Sequence, residues 1–243
     1  MAPLIFPDWA QPESVGACST TRTGGISLPP YDGLNLGGHV GDDPECVEKN
    51  RELLVEHAHL PQQPIWLNQV HGTRVIRLDD QLVEDNRADA VYTNRAGQVC
   101  AVMTADCLPV LFCSSNGDEV AAAHAGWRGL CAGVLENTVA QFSAKPDVIC
   151  VWMGPAIGPE KFEVGREVMD AFIATDPNLE QAFTPYGVKF LANIYLLARL
   201  KLQSIGINEV FGGTVCTVSE EKNFFSYRRD GITGRMATLI WLR

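Results

Sequence analysis

Apolar residues in this chain come in short unbroken runs, and each run closes on a breaker or on a polar residue able to do chemistry. Val15–Thr20, Trp66–Val70, Arg74–Leu78, Ala88–Tyr92, Val99–Thr104, Val110–Cys113, Glu119–His124, Val148–Met153, Val210–Cys216 and Met236–Trp241 read as short strands set off by tight breaks. The links between neighbouring runs are short, which favours antiparallel or mixed pairing, because a parallel crossover needs about a dozen residues or more.

Helical periodicity appears elsewhere. Asp42-Asp43-Pro44-Glu45 is an acidic cap followed by proline in the first turn, and it opens a helix expected to run to about Leu60, with Val47, Asn50, Leu54 and Ala58 on one face. A second helix is expected over Leu130–Phe142. Two further stripes, Val164/Val168/Ala171/Phe172 and Leu191/Ile194/Ala198/Ile205, predict helices in the last third. Strands and helices in this irregular order make the chain α+β, not a regular βαβ alternation.

Glycine-rich breaks separate these elements. Arg22 stands beside Thr23-Gly24-Gly25, which reads either as an ordinary glycine turn or as an anion-holding loop. Pro29–Asp43 is a long loop given order by Tyr31, Leu34, Leu36 and Val40; its Asn35 and His39 either contact a substrate or satisfy loop backbone groups. Arg51, at the edge of the first helix's apolar face, reaches a site or pairs with a carboxylate, and the ion pair is the commoner outcome.

Composition narrows the class. With 243 residues and 46% hydrophobic content, residues 1–243 suffice for one large domain. A net charge of -10 opposes a nucleic-acid backbone or an anionic membrane as partner. Neither a basic leader nor a stretch of about 20 apolar residues is present, so a cytoplasmic protein, monomeric or a small homo-oligomer, is expected. The eight cysteines include no C-x-x-C pair, and Cys18, Cys100, Cys113 and Cys150 lie within apolar runs, where they read as small core residues.

The chemistry concentrates where three runs end: His71 after Trp66–Val70, Cys107 after Val99–Thr104, and His124 closing Glu119–His124. If they converge, two imidazoles and a thiolate make a three-ligand metal site with an open position, the catalytic arrangement, and a metal there polarises an oxygen or activates a nucleophile. Spacing alone does not bring them together, and a lone histidine is more often a packed residue. Asp106 is a candidate proton shuttle or a turn cap. Gly126-Trp127-Arg128-Gly129 is a strand-to-helix turn suited to phosphate, with Arg128 adding a bidentate donor and Trp127 either stacking on a base or closing the core. Phe224–Asp230 holds two arginines that either serve a site or form a surface ion pair with Asp230.

Arg22-Thr23-Gly24-Gly25, Asn35-Leu36-Gly37, Gly41-Asp42-Asp43-Pro44, Gln69-Val70-His71-Gly72, Thr104–Val110, His124–Gly129, Gly154–Gly158 and Phe225–Asp230 together resemble the laccase-domain family, also called multi-copper polyphenol oxidoreductase, whose bacterial branch includes the peptidoglycan editing factor. The resemblance spans nearly the whole chain. It implies a four-layer α+β sandwich of mixed sheets flanked by helices, related to the cytotoxic-necrotizing-factor type of cysteine hydrolase, with zinc on His71, Cys107 and His124. It also implies purine nucleoside phosphorylase activity on adenosine, inosine and methylthioadenosine, together with adenosine deamination.

On that reading the partners are a small nucleoside and phosphate. Arg22 and Arg128 hold the phosphate, Asn35 or His39 orients the sugar, Arg51 and Gln69 line the site, the base sits at the metal, and Cys107 and Asp106 are catalytic. Copper is disfavoured: a multi-copper oxidase needs a mononuclear site and a trinuclear cluster, and the whole chain has five histidines. The rival readings are a metal-free Cys107–histidine hydrolase editing peptidoglycan precursors, and a binding protein in which zinc only stabilises the fold.

Overall fold

The computed structural model describes residues 4–10, 12–78 and 84–243; the leader reading rests in part on residues 1–3, which lie outside the described residues. Two large sheets face each other. The first has the order β1 (Leu4–Ile5), β2 (Val15–Thr20), β13 (Met236–Leu242), β5 (Val99–Thr104) and is antiparallel throughout. The second has six strands in the order β12 (Val210–Gly212), β8 (Ile149–Met153), β6 (Leu108–Ser114), β7 (Val120–Ala125), β4 (Ala90–Thr93), β3 (Val75–Arg77); its outer pairs are parallel and its inner ones antiparallel.

Strand periodicity builds the layers. Along β6, Leu108, Val110 and Phe112 point to a helical face, whereas Leu111 and Cys113 point toward the first sheet. Both faces are covered, so the strand reads as an unbroken apolar run. Cys100 and Val102 of β5 meet Leu111, Val120 and Ala122 between the sheets; truncating the fully buried Leu111 to alanine costs about 2–5 kcal/mol. Outside the first sheet lies α1 (Pro44–Ala58), capped by the Asp43 side chain on Glu45 N–H and ended by His59 in the left-handed region. Outside the second lie α2 (Trp127–Ala132), α3 (Val134–Val139), α4 (Arg166–Thr175) and α5 (Ile194–Ser204). The result is a mixed α+β sandwich in four layers.

Several expected elements differ. The helix expected over Leu130–Phe142 is two short helices, because Gly133 at φ 104° breaks it. Trp66–Val70 is not a strand: Leu67 is buried while Ile65 and Val70 are exposed, and apart from a bridge from Asn68 to Arg87 it makes no ladder. Val210–Cys216 shortens to Val210–Gly212, since Gly212 and Gly213 both take positive φ. Val164 and Leu191, read as helical stripe positions, belong instead to a three-stranded sheet of β9 (Glu163–Val164), β10 (Phe183–Tyr186) and β11 (Lys189–Ala192). No helix among the described residues is long and apolar enough to cross a membrane.

Candidate metal centre and its cleft

Cys107 sits in a three-residue link, Ala105-Asp106-Cys107, that carries the chain from β5 in one sheet to β6 in the other. A crossing this short needs a sharp bend, and Asp106 supplies it at φ 98°. Its carboxylate is fully engaged: Thr217 Oγ1 donates at 2.6 Å, Ser226 Oγ at 3.0 Å and the Arg228 backbone N–H at 2.6 Å. Asp106 is thus placed as a clamp that holds the link, the turn-capping alternative read from the sequence, and its three hydrogen bonds lend the proton-shuttle alternative no support.

His124, the last residue but one of β7, lies on the same face as Val120 and Ala122, so it looks into the space between the sheets. His71 lies in a loop at φ 60°. One residue that the sequence did not single out fixes both. Asp89, fully buried, accepts backbone N–H bonds from Val70, His71 and Gly72 at 3.2, 2.9 and 2.6 Å. The same carboxylate lies 2.8 Å from His124 Nδ1. Burial works against its charge, but the bonds from His124 and Gly72 outweigh that and hold Asp89 below the usual carboxylate range. A lone acid inside the apolar run Ala88-Asp89-Ala90 was the available signal, because a buried carboxylate must have partners.

The donor atoms of His71, Cys107 and His124 all lie within 4.8 Å of one another. Cys107 Sγ is 3.7 Å from His71 Nε2, and the two imidazole rings meet edge to face with centroids 4.8 Å apart. Burial opposes a thiolate here, but the charge and hydrogen bond of His124, then His71, bring Cys107 down to about 6. Conversely, burial opposes charging of His124, while Cys107 and Asp89 raise it to about 9. Gly126 completes the cradle: a Cβ there would lie 2.6 Å from His71 Cδ2 and 3.2 Å from Cys107 Sγ. This group can hold a metal ion.

A cleft with two lobes opens on either side, and His71, Ala105, Cys107 and Tyr227 belong to both. The first lobe, about 230 Å³, adds His39, Gln69, Met103, Thr104, His124 and Arg235. The second, about 260 Å³, adds Asp106, Trp127, Arg128, Ile157, Phe162, Ile194 and Arg228. The predicted substrate contacts divide accordingly. His39 and Arg128 do line the cleft, in opposite lobes; burial, then the charges of Arg235, Arg51 and His124, lower the His39 pKa. Gln69 lines it too, but its amide pairs with the Met103 backbone at both atoms, at 2.8 and 2.7 Å, tying the His71 loop to β5 as a strand would.

Three of the predicted contacts lie outside the lining of both lobes. Arg22 pairs with Asp32 at 3.1 Å, stacks on Phe225 and borders a separate surface hollow with Glu221 and Lys222. Asn35 is fully buried, bonding Gly37, Asp42 and the Arg235 backbone. Arg51 donates to Leu36 O and stacks on Trp66, holding the long loop on α1. Of the two tail arginines, Arg229 pairs with Asp230 and only Arg228 reaches the cleft. Arg235 went unnoticed because it stands alone before an apolar strand.

Residues 16–243 match the family described as multi-copper polyphenol oxidoreductase laccase. The chain belongs to this laccase family. A relative from Escherichia coli, named purine nucleoside phosphorylase YfiH, is 59% identical over 242 residues and 100% of each chain. One from Haemophilus influenzae, named purine nucleoside phosphorylase, is 54% identical over 98% of each. Among solved structures, a Neisseria meningitidis protein superposes with a TM-score of 0.94 at 50% identity over 98% of each chain. A Bacillus licheniformis protein described as hypothetical protein YfiH gives 0.88 at 31% identity over 94% of this chain and 93% of that one.

Proposed function

We propose that this chain is a zinc-dependent purine nucleoside phosphorylase acting on adenosine, inosine and methylthioadenosine, with adenosine deaminase activity at the same cleft. The observation that carries the reading is the convergence of His71, Cys107 and His124 where two lobes meet, in a chain 59% identical to a protein named purine nucleoside phosphorylase. The donor set fits zinc: imidazole and thiolate ligands at about 2.05 and 2.3 Å in a tetrahedron stand roughly 3.6 Å apart, and Sγ and Nε2 here are 3.7 Å apart. A bound zinc ion supplies Lewis acidity at this wall.

The remaining work falls to the chain's own side chains. Trp127, Ile157, Phe162 and Ile194 give the second lobe an apolar lining suited to a flat purine and able to exclude water from it. Tyr227, 61% exposed and common to both lobes, stands at the mouth. Asp89 orients His124 and the His71 loop. The deaminase part of the reading is supported by the family resemblance and the donor set alone, since Asp106 is fully engaged. The partners proposed are nucleoside and phosphate, the compartment cytoplasmic, and the whole of residues 1–243 a single domain.

A second reading is favoured by one observation: Cys107, His124 and Asp89 form a thiol–imidazole–carboxylate series, with the thiol already lowered to about 6. That series suits a cysteine hydrolase cutting an amide in a cell-wall precursor. Adenosine incubated with zinc-loaded protein, with and without phosphate, and analysed by mass spectrometry separates the two. Adenine and ribose 1-phosphate formed only with phosphate, and lost on chelation, support the phosphorylase; inosine formed without phosphate makes it chiefly a deaminase. No turnover by protein with confirmed zinc sinks the nucleoside reading, and precursor cleavage surviving chelation establishes the hydrolase.

A further inference from the structure

One strong positive charge in the cleft spends only part of its hydrogen-bonding capacity on the fold. Arg235 lines the first lobe with His39, Cys107 and His124. Its backbone N–H donates to Asn35 Oδ1 at 2.9 Å, and Nη1 donates to Thr233 O at 2.9 Å and Gly234 O at 3.0 Å. Its stem lies against Gly37, where a Cβ would stand 2.8 Å from Arg235 Cγ. The side chain is therefore fixed from two directions.

Its other edge is not used. Nε and Nη2 make no hydrogen bond among the described residues, and no carboxylate pairs with the guanidinium there. Arg22 and Arg229 have carboxylate partners, and Arg51 spends Nε and Nη2 on Leu36 O; Arg228, like Arg235, uses only Nη1, and Arg128 stacks on Trp127, but both line the second lobe, whereas Arg235 lines the lobe of His39 and His124. Burial lowers the Arg235 pKa, opposed by the negative charge of Cys107 and then Asp106, so the group is close enough to the metal wall to feel both. A guanidinium stays charged at neutral pH, and its Nε/Nη2 edge matches two oxygens of a tetrahedral oxyanion.

We propose that Arg235, through Nε and Nη2 and with His39 beside it, is the subsite for inorganic phosphate in this cleft. Its catalytic meaning rests on the phosphorylase reading above; the anion site itself does not. Phosphate then occupies the first lobe and the nucleoside the second, so the anomeric carbon C1′ lies at the shared wall of His71, Cys107 and Tyr227. In the step this arrangement serves, a phosphate oxygen forms a bond to C1′ and the C1′–N9 bond breaks. The electron pair leaves on the purine, which takes up the proton given up by the attacking hydrogen phosphate, and ribose 1-phosphate dianion remains.

The test uses zinc-loaded protein, inorganic phosphate as the probe, and Arg235→Gln and Arg235→Lys. Arg235→Gln is expected to raise the KM for phosphate by about tenfold or more, the loss of a charged two-point contact, while the nucleoside KM stays within about twofold. Arg235→Lys, which keeps the charge but not the fork, falls between. Independently of turnover, phosphate raises the melting temperature of the wild type, and Arg235→Gln abolishes that shift. A folded Arg235→Gln protein with unchanged phosphate KM, or a wild type whose melting is indifferent to phosphate, overturns the proposal. If Arg235→Gln does not fold, an unchanged phosphate KM in Arg235→Lys overturns it instead. Absence of ribose 1-phosphate together with a phosphate-dependent melting shift refutes the phosphorylase reading and leaves the anion site standing.

Discussion

Asp89 Oδ1 lies 2.8 Å from His124 Nδ1, and the same carboxylate holds the backbone of the His71 loop. One buried residue thus fixes both imidazoles of the candidate metal centre, one through its ring and the other through its main chain. With Nδ1 tied to Asp89, Nε2 is the His124 atom that would hold an ion. Asp89→Asn keeps the size but turns N–H groups toward backbone N–H donors. Zinc affinity, read by competition with a chromogenic chelator, is expected to fall about 10- to 100-fold. Unchanged affinity would mean the histidines hold their positions without Asp89.

Gly126 is required by space. An alanine there would drive its methyl against His71 Cδ2 at 2.6 Å and Cys107 Sγ at 3.2 Å. The expected outcome for Gly126→Ala is a loss of about 1–3 kcal/mol in urea denaturation together with less than one zinc per chain by elemental analysis. Full zinc loading would show that the loop yields.

In the metal-free protein, Cys107 is lowered to about 6 by His124 and His71 against the effect of burial. Its rate of alkylation is expected to rise with pH through a midpoint near 6 and to shift upward in His124→Asn. The sign for stability follows: a thiol whose folded-state pKa lies below its unfolded value stabilises fully above the unfolded value of 9.0, and that contribution is lost as pH falls through about 6. Alkylation with a midpoint near the usual thiol value would contradict the pairing.

Asp106 separates a clamp from a proton carrier. Asp106→Ala leaves the Thr217 and Ser226 hydroxyls and the Arg228 N–H without their acceptor, which is expected to cost about 3 kcal/mol or more in chemical denaturation. Asp106→Asn in a shuttle role would alter the pH–rate profile and leave stability intact; that result would restore the catalytic assignment.

Much of the site was legible in the chain. Val99–Thr104 was readable to the residue because a strand covered on both faces is a nearly continuous apolar run, Val15–Thr20 because small and β-branched residues end at the Thr21–Gly25 break, and the start of α1 because its cap, proline and acidic first turn are local chemistry. His71, Cys107 and His124 stood out as donors at the ends of runs. The three-stranded sheet was missed although the two-residue loop Gly187-Val188 between Phe183–Tyr186 and Lys189–Ala192 is a hairpin signal, because Pro185 demotes the first strand and Leu191 also fits the helical stripe of Ile194 and Ala198.

What the sequence determined by itself is what short-range forces determine: which stretches are strands, where helices start, and which residue types are available for metal binding. Tertiary structure alone decided which of them meet. The step from β5 to β6 across two sheets sets Cys107 beside His71, 36 positions away, and the burial of Asp89 ties His124 to the same loop. The same long-range packing removed Arg22, Asn35 and Arg51 from the cleft and brought in Arg235, whose neighbour Asn35 is 200 positions distant. Convergence of this kind depends on the register of distant strands, and no local pattern of residues encodes it.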